Sequence, residues 1–148
     1  MDGIDEKLIA EMVKKILTEK LGQKDAIQRN VDPSGIMSIK TSTVKPEKFD
    51  TGKEGDKVFL KDVLTVEESP RLGCGVMEME ESTFEWTLKY DEIDYIIDGT
   101  LEILIDGRKV VGNKGDLIFI PRDSTIQFSS PDYSRFVYVV YPANWAEQ

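Results

Sequence analysis

Near the start of the chain, apolar residues fall at Ile4, Leu8, Ile9, Met12, Val13, Ile16, Leu17 and Leu21. That is the i, i+3, i+4 spacing of an amphipathic helix. Asp2 or Asp5 suits its start, Lys14, Lys15 and Lys20 suit its C-terminal half, and Gly22 is placed to end it. The segment Gly22 to Gly35 has few apolar positions and closes on Pro33-Ser34-Gly35, a turn signal. The pattern therefore predicts an amphipathic helix over 1–22, a connector over 23–35 and a third region from residue 36 to 148.

In that third region the period changes. Short runs rich in β-branched and aromatic residues occupy 36–39, 57–60, 72–79, 83–88, 93–97, 101–105, 109–111, 117–120, 124–128 and 135–141. Asp98-Gly99 and Asp106-Gly107 punctuate them, and the second pair has the residues of a two-residue type I′ hairpin. Many short strands with no intervening helix give a mainly β fold, and a jelly-roll β-barrel is the expected architecture.

Composition narrows the chemistry. With 28 acidic against 19 basic side chains the net charge is −9, a field that repels nucleic acid and anionic membrane surfaces. No apolar run reaches the ~20 residues that span a bilayer, and the first residues lack a signal-peptide pattern, so a cytoplasmic protein is expected. Cys74 is the only cysteine, which leaves no internal disulfide and no thiolate cluster, and reads as a small core residue. There is no histidine, so Ser-His and Cys-His pairs, HExxH zinc sites and imidazole bases are all excluded.

The run Tyr90-Asp91-Glu92-Ile93-Asp94-Tyr95-Ile96-Ile97-Asp98-Gly99 resembles the first cupin motif, in which two histidines precede a Glu seven residues before a Gly. Gly115-Asp116-Leu117-Ile118-Phe119-Ile120-Pro121 resembles the second motif. Carried across, the cupin metal positions are Trp86, Leu88, Glu92 and Ile126, of which Glu92 alone can ligate. No tightly bound transition metal is expected there, because one carboxylate is a weak substitute for three imidazoles.

The YDEID run at 90–94, together with Tyr141-Pro142-Ala143-Asn144-Trp145, resembles the EutQ family of ethanolamine-utilisation proteins, cupins that lack the histidine set. The resemblance implies an accessory protein of the ethanolamine microcompartment, with an acetate kinase activity and hence Mg-ATP. It also implies a location in the cytoplasm associated with that microcompartment. Residues 4–21 resemble encapsulation helices that dock on shell or cargo proteins, although the same stripe suits packing on the protein's own barrel. A homodimer is expected from the cupin likeness and from sheet edges that need covering.

If Glu92 faces the barrel interior, period-2 alternation places Asp94 and Ile96 inward with it, and Trp86 and Leu88 inward on the preceding strand. Two adjacent buried carboxylates suit either a divalent cation or a shared proton, which makes Glu92 and Asp94 the candidate catalytic pair. Glu78, Trp86, Tyr90 and Tyr138 are the candidate ligand-binding residues. Lys89, Arg71, Arg122 and Arg135 are the cations available to assist a phosphate. Neither Thr51-Gly52-Lys53-Glu54-Gly55 nor Gly73-Cys74-Gly75 completes a phosphate or dinucleotide fingerprint, since Glu54 and Glu78 stand at required positions. Two classes of function stay open on the residues: a carboxylate-based enzyme acting on a small acid, and a non-catalytic small-molecule-binding or assembly protein.

Overall fold

A computed structural model describes residues 6–24 and 26–147, and the chain divides into two compact units at Lys45/Pro46. In the first unit, α1 spans Glu6–Lys24. It runs on through Gly22, because one glycine costs a helix about 1 kcal/mol and Gln23 and Lys24 are good helix formers. Leu8, Ile9, Met12, Val13 and Ile16 are exposed along it. Ile4 lies outside the described residues, as do the side chains of Leu17 and Leu21.

The expected connector over 23–35 contains a strand. β1 (Arg29–Val31) pairs antiparallel with β2 (Met37–Ile39). The Pro-Ser-Gly signal closes this hairpin: the Ser34 N–H donates to Asp32 Oδ2 at 2.8 Å and Gly35 takes φ +95°. Turn chemistry was legible there, but a three-residue strand with every residue exposed has no apolar alternation to announce it.

The second unit is built on one seven-stranded antiparallel sheet. Its strands are β3 (Glu47–Lys48), β4 (Lys57–Asp62), β5 (Gly73–Thr87), β6 (Asp91–Ile105), β7 (Arg108–Asn113), β8 (Leu117–Ile120) and β9 (Thr125–Tyr141). The order is β3-β4-β5-β9-β6-β7, with β8 added to β6. The ladder has edges at β3 and β7, so the expected barrel is a curved sheet wrapped around a core and not a closed hydrogen-bonded cylinder.

Three pairs of expected short strands are each one long, bent strand, β5, β6 and β9. The bends come from register shifts between Glu80 and Ser82 in β5, and at Ile96/Asp98 and Gly99/Glu102 in β6. Asp98-Gly99 is thus a bulge inside a strand and not a turn between two. Gly99 has φ +73°, and a β-carbon there would overlap the Tyr133 carbonyl. A bulge bends and twists the strand that carries it, so one strand serves both halves of the wrapped sheet. The Asp106-Gly107 hairpin forms as expected, with φ +48° and +74°. Inside the wrap, Phe136, Met79, Leu88, Ile96 and Leu101 are completely buried.

Candidate functional site

The first half of β6 lies between two partners. Glu92 is opposite Ile120 on β8 and Val140 on β9, and Asp94 is opposite Ile118 and Tyr138. Hydrogen bonding on both sides fixes this backbone, and alternation turns Glu92, Asp94 and Ile96 into the core while Ile93 and Tyr95 face outward. The inward placement of the carboxylate pair matches the expectation from strand parity.

Glu92 lines a small interior space together with Phe49, Leu60, Met77, Phe84, Trp86, Tyr90, Phe128, Tyr138, Val140 and Trp145. The room inside is about 20 Å³, enough for one water-sized group. Asp94 lies fully buried, and neither of its carboxylate oxygens has a hydrogen-bond partner. Burial raises the Asp94 carboxyl well above the usual carboxylate range, and the charge of Glu92 raises it further. Glu92 is raised by burial as well, with its interaction with Asp94 restraining the rise. An ionised carboxylate in such surroundings is costly unless a cation or several donors face it, so the pair keeps proton there to higher pH.

Aromatic rings close the space. Phe49 approaches Trp86 edge-on at 5.7 Å between centroids, Phe84 stacks on Phe128 at 5.3 Å, and Trp145 contacts Trp86 at 6.2 Å and Tyr90 at 6.1 Å. Trp86 Nε1 donates to the Tyr90 hydroxyl at 2.8 Å, which satisfies both polar tips inside the ring cluster. Burial is the main reason the Tyr90 and Tyr138 phenols are raised, with neighbouring carboxylates adding to it.

Of the expected site residues, Glu92, Trp86, Tyr90 and Tyr138 meet around this space, and Asp94 lies beside it on the same strand face. Glu78 does not join them. It projects from the opposite face of β5, where it is ion-paired with Arg135, because Met77 and Met79 take the inward positions of that strand. The other expected cations are elsewhere too: Lys89 and Arg122 approach Asp123 at 3.4 and 4.0 Å, and Arg71 is exposed. Leu88 and Ile126 sit in the core cluster, where their aliphatic chains pack.

Sequence reasoning did not assign Phe49, Leu60 or Trp145 to the site. Phe49 precedes a strand in a polar stretch, and Trp145 returns to the rings after a cis Tyr141–Pro142 bond. Its signal was the PANW run, which marked the segment but gave no reason for its position.

Two carboxyls alone do not make the ligand set of a resident divalent metal, and no group of three or more metal-ligating side chains occurs among the described residues. A cation arriving with a substrate is a separate matter.

A family model described as ethanolamine utilisation protein EutQ matches residues 4–147. The chain is 59% identical to a protein of Clostridioides difficile strain 630 called acetate kinase EutQ, over 100% of this chain and 98% of that one. It is 37% identical to the acetate kinase EutQ of Salmonella typhimurium, covering 95% of this chain but 63% of that longer protein. Among solved structures, the Clostridium difficile EutQ protein superposes with TM-score 0.81 and 64% identity, covering 82% of this chain and 91% of that one. A cupin superfamily protein of Desulfitobacterium hafniense, 13% identical, superposes with TM-score 0.54 over 69% of this chain and 86% of its own, and shows the fold alone.

The buried pair makes stability depend on pH with a definite sign. Unfolded, Asp94 loses its proton near pH 4, whereas folded it keeps it to higher pH. The folded state therefore binds more protons in that window, so the contribution is present at acid pH and is lost as pH rises. Asp94→Asn should remove this slope and raise the unfolding midpoint at pH 8 by several degrees, on the order of 1 kcal/mol. Thermal unfolding of both proteins from pH 4.5 to 8 checks it, and a constant difference between them across that range would contradict it.

Proposed function

The chain belongs to the ethanolamine utilisation protein EutQ family, and on that premise we propose that it transfers a phosphoryl group between ATP and acetate at the Glu92–Asp94 cavity. The observation that carries this reading is the identity of 59% across the whole length of a relative named for that reaction. The site adds a chemical reason. A small acid entering an apolar, ring-walled space needs a proton donor for its charge, and the Glu92 carboxyl, pushed up to about 7 by burial, can supply one.

In the forward step, a carboxylate oxygen of acetate attacks the γ-phosphorus, the bond to the β,γ-bridging oxygen breaks, and ADP leaves. Magnesium travels on the phosphates of ATP as part of the substrate. The 20 Å³ space holds neither the nucleotide nor a whole acetate as it stands. Acetate enters when the Trp86, Tyr90 and Trp145 rings part, and the triphosphate stays outside them. Glu92 then orients the acid, with one oxygen held inside and the other toward the γ-phosphate. No Lys or Arg lines the cavity, so the charge of the phosphates is balanced by their magnesium.

We further propose that the protein works inside the ethanolamine microcompartment, with the exposed apolar residues of α1 docking on shell or cargo proteins. A second copy of the chain would cover the outer sheet face, where Ile93, Tyr95, Leu117 and Phe119 form an exposed apolar patch on β6 and β8.

Acetyl phosphate formation from ATP, magnesium and acetate is expected for the wild type, and Glu92→Gln should lower kcat/KM by about a hundredfold with the fold retained. Full turnover in a folded Glu92→Gln, Asp94→Asn double variant would remove the cavity from the reaction. A wild type that binds acetate in a thermal-shift titration but makes no acetyl phosphate would favour the non-catalytic small-molecule-binding reading. Deleting residues 1–45 should leave a domain that sediments as a dimer, while a fluorescent fusion loses its localisation to the shell. A monomeric domain, or a truncated fusion that still localises, would contradict the partner assignments.

A further inference from the structure

Besides the Trp86 and Trp145 indoles and the Met77 thioether, the polar side chains in the cavity wall are Glu92, Tyr90 and Tyr138. The Tyr90 hydroxyl accepts from Trp86 and so stays within the ring cluster. The Tyr138 hydroxyl points the other way and donates to Asp62 Oδ1 at 2.5 Å. Asp62 is exposed at the end of β4, so this one hydrogen bond joins the interior space to solvent.

The arrangement depends on Gly75. Gly75 stands opposite both Tyr138 on β9 and Asp62 on β4, and a β-carbon there would overlap the phenol oxygen. Any other residue at 75 would displace the hydroxyl from its partner. The neighbouring titratable groups are few: Asp62 and Cys74 on the solvent side, Glu92 on the cavity side, and Asp94 directly across from Tyr138 on β6.

We propose that Asp62 and Tyr138 form the proton path between solvent and the buried Glu92–Asp94 pair. This rests on the small-acid reading of the cavity and gives that site a means of adjusting its charge as a ligand enters or leaves. A buried pair that holds a proton must exchange it with water, and walls of Phe, Met, Leu and Val carry none. In the outward direction the Tyr138 oxygen accepts a proton from Glu92 through one water, while the Tyr138 proton passes to Asp62 and then to solvent. Glu92 and Tyr138 line the same interior space, which has the room of that single water. The transfer is concerted, since burial holds the phenol far above neutrality and no free tyrosinate forms. Tyr138 and Asp62 are positioning and relay residues, and neither takes part in the phosphoryl step.

The test needs no substrate, so it is independent of whether the chain is a kinase. A rapid pH jump on the full chain, followed by infrared absorption of the carboxylic-acid carbonyl, reads the proton exchange rate of the pair. Tyr138→Phe and Asp62→Asn should each slow that rate at least tenfold while leaving the equilibrium midpoint nearly unchanged, and Asp62→Glu should restore it. Should Tyr138→Phe fail to fold, the exposed Asp62 variants decide the matter. Wild-type rates in Asp62→Asn, or a wild type with no carboxylic-acid band at neutral pH, would overturn the proposal.

Discussion

The site depends on two carboxyl groups held where nothing positive faces them. Asp94 has no exposed surface and no hydrogen-bond partner, and the space beside Glu92 is walled almost wholly by carbon. Such a pair avoids the cost of an uncompensated buried charge by keeping proton. Apolar residues would be more stable at both positions, so a carboxyl pair at the centre of the sheet is a candidate functional site. The backbone prevents their escape, because β6 is bonded on one side to β8 and on the other to β9 along this stretch.

Several other features follow from that constraint. The aromatic layer of Phe49, Trp86, Tyr90 and Trp145 limits the space to one water-sized group, and that burial raises both carboxyls. Without imidazoles or a third ligand, the described residues lack the donor set of a cupin metal centre. On the proposed kinase reading, the lack of a cation among the lining residues puts the phosphate charge outside the rings.

Much of this was legible in the chain. Strand parity alone put Glu92, Asp94 and Ile96 on one buried face, and the YDEID and PANW runs carried the family. Asp106-Gly107 specified its hairpin, since both residues tolerate a positive φ. The misreadings share a cause. Asp98-Gly99 has the composition of a turn, but composition does not separate a turn from a bulge, and only the partner strand β9 decides it. Glu78 was placed with the site by strand face, yet the inward face of β5 belongs to Met77 and Met79. The barrel was expected to close, and closure depends on pairing at β3 and β7 that no local pattern encodes. Phe49 and Leu60 reach the site from β4 and the segment before it, contacts across long sequence separations that periodicity does not reveal.

The central claim is that burial makes Asp94 keep its proton at neutral pH. Carbon-13 NMR of carboxyl-labelled aspartate, with the Asp94 resonance assigned by its loss in Asp94→Asn, measures this directly. The account predicts that the Asp94 carboxyl has the chemical shift of an acid at pH 7. An Asp94 resonance at the position of a carboxylate at pH 7 would contradict it.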